Sequence, residues 1–275
     1  MSRQDEAAAA GRSKRPSLAL VGSVAFTIGA TVMILLHEAS HAVAGLVLGH
    51  HPLQLPFAVD YRPTLGPAAE GVTAITGPLF SLVSGMIGVV IDRTVRPLRS
   101  RPFARLVWLW LVFTSLQEGF GYFTIAALGD VGDTAVAFHA WGAPDWAFVA
   151  AAVFGVGGQV LAAWLFSEPL RRMCRSVDDR RDLTVWAWLL GTGAMLALMT
   201  LYVLAAPAFR LDAKVTVLAG AVSLGVFAPM SMMFGPRRNT AADRLPPARP
   251  PLAGWIALAS LVTFNLSLLL GWLWP

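Results

Sequence analysis

"PSLALVGSVAFTIGATVMILLHEASHAVAG", residues 16–45, joins an uncharged run from Pro16 to Leu36 directly to two histidines and a glutamate. At a rise of 1.5 Å per residue, a helix of that run spans roughly 30 Å, the thickness of a bilayer's hydrocarbon core. An acidic side chain at the centre of such a helix costs roughly 2.5–3.5 kcal/mol. A sequence that sets polar groups so close to the apolar run therefore calls for a chemical reason.

The rest of the chain repeats the apolar pattern. Of its 275 residues 56% are hydrophobic and only 13% charged, and the mean hydropathy is +0.62, values foreign to an ordinary soluble domain. Uncharged runs recur at Gly71 to Ile91, Trp146 to Ser167, Leu183 to Phe209, Val215 to Pro236 and Pro250 to Pro275, and Leu106 to Gly129 is interrupted only by Glu118. The expectation is an all-α, polytopic helical membrane protein with about seven transmembrane helices.

The net charge of +5 does not point to nucleic acid. With a cytoplasmic N-terminus and seven spans, basic residues cluster on one side: before the first span and in 93–105, 171–181 and 237–249. Only Arg62, Arg210 and Lys214 of the 21 fall on the other. The positive-inside rule explains that sorting. It predicts a multi-pass protein of the plasma (inner) membrane with a cytoplasmic N-terminus and an outside C-terminus. Residues 1–15 are polar and small-residue-rich and read as a mobile cytoplasmic segment. The apolar run after them is too long for a usual signal-peptide core and reads as a retained span. Cys174 is the single cysteine, which excludes an internal disulfide and a cysteine-based metal site.

In HEASH, His37 and His41 are four residues apart, so on a helix they share one face and can both reach a metal ion. Glu38 stands beside them, placed to address a water on that metal. This is the HExxH arrangement of two ligands and a general base. A catalytic zinc commonly takes three protein ligands. The third helix, like the first, runs outward and ends in "AALGDVGDTAVAF", 126–138, which brings Asp130 and Asp133 to the histidines' level. Gly77 and Pro78 interrupt the start of the second span, and Ser81, Ser84 and Gly85 give it a small face. His50, His51 and His139 fall in the same half of the protein but read as interfacial. Glu118, about three turns before Asp130, should lie some 18 Å deeper on a straight helix. It is a supporting residue rather than a ligand.

These motifs resemble the three-helix core of the site-2 protease type of intramembrane zinc metalloproteases. HEASH, "TGPLFS" and "LGDVGD" stand where that family has its HExxH, its Gly-Pro element and its aspartate motif. The resemblance covers roughly residues 16–140 and leaves 141–275 as four further helices without a counterpart. The asparagine and prolines that usually precede the family's aspartate are missing from "FGYFTIAALGD". The resemblance implies one Zn2+ per chain held by His37, His41 and Asp130, with Asp133 the alternative third ligand or a supporting group. It implies Glu38 as catalytic base, support from Gly77, Pro78 and Glu118, and hydrolysis of peptide bonds in a membrane protein or peptide substrate. It also implies a β-hairpin-like element, for which "HHPLQLPFAVDYRPTLGPAAEG", 50–71, has the length. The alternatives are a catalytically inactive metal-binding scaffold and a proton- or metal-coupled transporter.

Overall fold

Helix α1 (Ala19–Val47) continues without a break from the apolar run through HEASH. The structure, a computed structural model, describes residues 17–206, 211–235 and 243–270, so the N-terminal segment 1–15 lies outside the described residues. Within α1, Thr27 and Thr31 donate their hydroxyls to the carbonyls of Ser23 and Thr27, at 2.8 and 2.7 Å. The helix thus satisfies its own polar groups, as an apolar medium requires. Its start is held by a distant carboxylate, since Asp182 Oδ2 accepts from the Leu18 amide at 2.8 Å. A negative charge there meets unpaired amides and the positive end of the helix dipole.

After α1 the chain forms a hairpin of β1 (His51–Leu55) and β2 (Ala58–Arg62), antiparallel with Leu55 opposite Ala58. The expected hairpin-like element is present. Helix α2 (Pro67–Thr94) begins with proline at its first turn and Glu70 just inside, and ends on Arg93, the polarity a helix dipole favours. Helix α3 (Pro102–Gly129) packs against both α1 and α2. Its crossing with α1 is tight: a Cβ at Gly29 would come within 2.8 Å of the Leu111 amide nitrogen.

Beyond α3 come the short α4 (Asp133–Ala140) and the long α5 (Asp145–Arg172). Helix α6 (Val177–Ala205) contains a π-helical turn at Asp182–Trp186. Then follow α7 (Leu211–Ser223), a 3-10 segment at Ala228–Met233, and α8 (Leu252–Leu268). The later helices pack directly on the earlier ones, α5 along α3 and α6 along α1. An aromatic cluster sits at the α1, α3 and α5 junction, with Phe26 edge-on to Trp110 at 4.9 Å and Phe113 stacked on Phe166 at 4.5 Å. Such pairs contribute about 0.5–1.5 kcal/mol each beyond the area they bury.

Helices α1, α2, α5 and α6 are long and apolar enough to cross a membrane. Two thirds (67%) of the apolar window of α1 is buried against 33% in each of the others, so α1 is the central helix and the others turn apolar faces outward. Helix α3 has the length but carries Gln117 and Glu118. The run Val215 to Pro236, expected as one span, is interrupted. Helix α7 ends at Ser223, Gly225 takes φ +70°, and the chain resumes as a 3-10 turn containing Pro229. A left-handed residue ends a helix, and a proline removes an amide from the next turn. The 17 residues of α8 cover roughly 26 Å, slightly less than a hydrocarbon core.

Candidate metal centre

His37 and His41 lie one turn apart on α1, both buried, with ring centroids 4.7 Å apart. Their Nε2 atoms are separated by 3.0 Å. Asp133, the first residue of α4, sets Oδ2 at 3.1 Å from His37 Nε2 and 3.2 Å from His41 Nε2. Among the described residues this is the one group of three His, Cys, Asp or Glu side chains arranged to hold an ion. A tetrahedral zinc with bonds of 2.0–2.1 Å separates its donors by about 3.3 Å. The observed triangle is within a few tenths of an ångström of that.

The tautomers favour a cation there. His41 Nδ1 stands 2.7 Å from the Thr73 carbonyl oxygen, which can only accept, so Nδ1 carries the proton and Nε2 of the neutral ring offers its lone pair. His37 Nδ1 is 3.0 Å from Ser81 Oγ, which can accept in the same way. Both partners belong to α2. Hydrogen bonds on the far nitrogen orient a metal-ligating imidazole and raise its basicity. Burial opposes ionisation of Asp133, yet hydrogen bonds donated by the histidines and their charge outweigh it and hold the carboxyl below the usual carboxylate range, and a cation would take the place of the protons those bonds share. Without those protons three electron-pair donors face one point, and a cation resolves their repulsion.

Gly77 makes room for it. A Cβ at this position of α2 would lie 2.3 Å from His41 Nε2 and 2.6 Å from His37 Nε2, inside the space an ion needs. Pro78, next in the helix, has no amide hydrogen and so leaves the carbonyl of Ala74 without its helical donor. Ala74 lines the large cavity in front of the histidines.

That cavity has a volume of about 980 Å³ and is walled by Glu38, His41, Asp133, Glu118 and Tyr122, with β2 on one side and α7 on another. Glu38 is buried and faces it. Tyr122 stacks on His37 at 5.2 Å with the rings 13° from parallel. Tyr61, from β2, donates its hydroxyl to the His41 carbonyl at 3.1 Å, and burial raises this phenol's pKa, keeping it neutral. Deeper in the wall, Gln159 donates to Thr124 Oγ1 at 2.8 Å, so the cavity carries polar groups well along α3 and α5.

The structure places His37, His41 and Gly77 against one another and Glu38 on the wall of the adjoining cavity, and of the two aspartates it brings Asp133, the alternative third ligand, and not Asp130, to the histidines. Asp130 does not reach the histidines. It is the left-handed C-cap of α3, at φ 51°, and its exposed carboxylate pairs with His139 Nε2 at 2.5 Å. The chain then turns back at Gly132, φ +84°, and this reversal delivers Asp133 instead. The same reversal explains Glu118, which lines the cavity with Asp133 although a straight α3 would separate it from the aspartate motif by many ångströms. His50 and His51 stay on the hairpin, His50 bonding the Pro63 carbonyl at 2.8 Å. Sequence reasoning passed over Tyr61, Thr73 and Tyr122. A signal existed for the tyrosines: the chain has three, and Tyr122 lies one helical turn from Glu118.

No protein-family model, curated protein or solved structure matches the chain.

Proposed function

We propose that the protein is an intramembrane zinc metallopeptidase, a minimal relative of the site-2 protease type, that hydrolyses peptide bonds of a membrane protein or peptide. The observation that carries this reading is the convergence of His37, His41 and Asp133 at 3.0–3.2 Å beside Glu38 on the wall of one cavity. In this reading the chain crosses the inner membrane about seven times, with its N-terminus in the cytoplasm.

His37, His41 and Asp133 would hold the zinc ion, which would supply Lewis acidity and lower the pKa of a bound water toward about 7. Glu38 then takes the proton of the attacking water and passes it to the leaving amine. The Thr73 and Ser81 hydrogen bonds at Nδ1 keep both imidazoles in the ligating tautomer. A peptide bond inside a helix is shielded by its own hydrogen bonds, so the substrate has to be extended. The β2 strand along the cavity suits an extended backbone, as strand addition requires.

The deciding experiment uses the purified, detergent-solubilised full chain. Wild type should hold near one zinc per chain, and the His37→Ala, His41→Ala double variant none. Glu38→Gln should retain the zinc while cleavage of a model transmembrane substrate falls by about 10²–10⁴-fold, the range for loss of a general base. Cleavage that survives Glu38→Gln rules the mechanism out. The interrupted segment after α7, which lines the cavity, is the one observation that favours a metal- or proton-coupled transporter. Metal uptake into proteoliposomes that persists in Glu38→Gln, with no cleavage in wild type, would select it.

A further inference from the structure

The opposite end of the bundle holds a second cavity, of about 400 Å³, between α2, α3 and α5. Asp92 marks its level, fifteen residues beyond Gly77 on α2 and therefore roughly 22 Å from the metal centre along the helix. Four arginines line it, Arg93, Arg96, Arg105 and Arg172, against two carboxylates, Asp92 and Glu168, an excess of two positive charges.

The carboxylates are already engaged. Arg105, 3% exposed, is bidentate to Asp92 through Nη1 and Nη2, the latter at 3.0 Å, and also donates to the Pro97 carbonyl. Its Nε–H is buried without an acceptor. Arg172 donates to Glu168 at 2.6 Å. Arg93 and Arg96 are both exposed, and no carboxylate of the described residues pairs with either. Arg93 instead lies over the ring of Trp164, 5.6 Å from its centroid.

The surroundings select the anion. Below the arginines the cavity is walled by apolar side chains, Val89, Leu109, Val112, Phe113 and Leu116. The outer faces of the two flanking helices present Ile87, Val90 and Leu161 to the surroundings. Trp164, 48% exposed, stands at the arginine level, and a tryptophan beside a cation is the mark of a membrane–water interface. A soluble anion has no use for the apolar lower half. A phospholipid uses both parts, its phosphate among the arginines and the start of an acyl chain along Val89 and Val112.

We propose that this cavity binds the phosphate-bearing headgroup of an anionic phospholipid, with Arg93 and Arg96 as its free contacts and Arg105, braced by Asp92, as the fixed positive charge behind them. Basic pockets between membrane helices are known to take such headgroups. The site is independent of the metal centre and of the activity proposed for it.

Native mass spectrometry of the delipidated full chain, titrated with phosphatidylglycerol or phosphatidylcholine vesicle lipid, tests this. Wild type should retain one phosphatidylglycerol in preference to phosphatidylcholine, and millimolar inorganic phosphate should not displace it. Arg93→Gln, Arg96→Gln, both exposed positions, should weaken retention by about 30-fold, the equivalent of two interfacial arginines. Zinc content and helicity of the variant serve as the controls for folding. Equal retention of the two lipids, or unchanged retention in a folded variant, overturns the proposal. Displacement by inorganic phosphate would assign the cavity to a soluble anion and overturn it equally.

Discussion

Gly77→Ala is the sharpest perturbation of the metal centre, because it adds one methyl group and no polarity. On the present backbone that methyl sits 2.3 and 2.6 Å from the two imidazole Nε2 atoms. An ordinary carbon–nitrogen contact is about 3.4 Å or longer, so α1 and α2 must separate by roughly 1 Å or the rings must rotate. Either movement breaks the hydrogen bonds from the imidazole Nδ1 atoms to Thr73 O and Ser81 Oγ or widens the donor triangle beyond what zinc spans. Loss of such orienting bonds alone weakens metal binding by about 10–100-fold, and an occluded ion position adds to it, so a loss of at least about 100-fold is expected. Helix propensity acts in the opposite direction, since alanine is about 1 kcal/mol better than glycine inside a helix. A folded protein with unchanged helicity is therefore expected, empty of metal. Zinc titration against a chromophoric chelator, beside a circular dichroism melt, measures both quantities. A folded Gly77→Ala protein that binds one zinc with wild-type affinity would refute the geometry of the site.

Three further outcomes follow from individual contacts. Asp133→Asn should lower zinc affinity by at least about tenfold, whereas Asp130→Asn should leave it unchanged and alter stability by less than about 1 kcal/mol, as for any exposed pair; equal effects would return the ligand assignment to Asp130. Ser81→Ala removes the partner of His37 Nδ1 and should weaken zinc binding by about 10–100-fold without changing the melting temperature. Arg105→Met leaves Asp92 buried without its partner and should destabilise the protein by about 3–5 kcal/mol in a detergent-unfolding series, while zinc affinity stays within twofold, roughly the scatter of distant sites. A stable Arg105→Met protein would show that the pair is not desolvated.

Much of the architecture can be read from composition and spacing, because the constraints involved are local. Twenty or so consecutive apolar residues bury their backbone polar groups only as helices, and α1, α2, α5 and α6 obey that rule whatever surrounds them. Where a local signal opposes the run, the outcome differs from the hydropathy. Gly225 and Pro229 interrupt the stretch expected as a sixth span. The hairpin within residues 50–71 was expected from the family resemblance, and the structure places its turn at Pro56 and Phe57, the two residues between the strands.

The division is clearest at the candidate metal centre. The amino-acid sequence by itself determined that His37, Glu38 and His41 share a helix and that the two histidines share a face, because the i, i+4 relation is a property of the helix and needs no partner. Only the tertiary structure decided which aspartate joins them. Asp130 and Asp133 stand three residues apart, and their fates depend on a left-handed C-cap and on Gly132, which fold α4 back onto α2. The tertiary structure also decided the bare patch at Gly77 and the acceptors that Thr73 O and Ser81 Oγ offer to the imidazoles, all on α2. Contacts between helices depend on the angle and depth at which two surfaces meet, and packing of the whole bundle determines that angle and depth, which no spacing within one segment records.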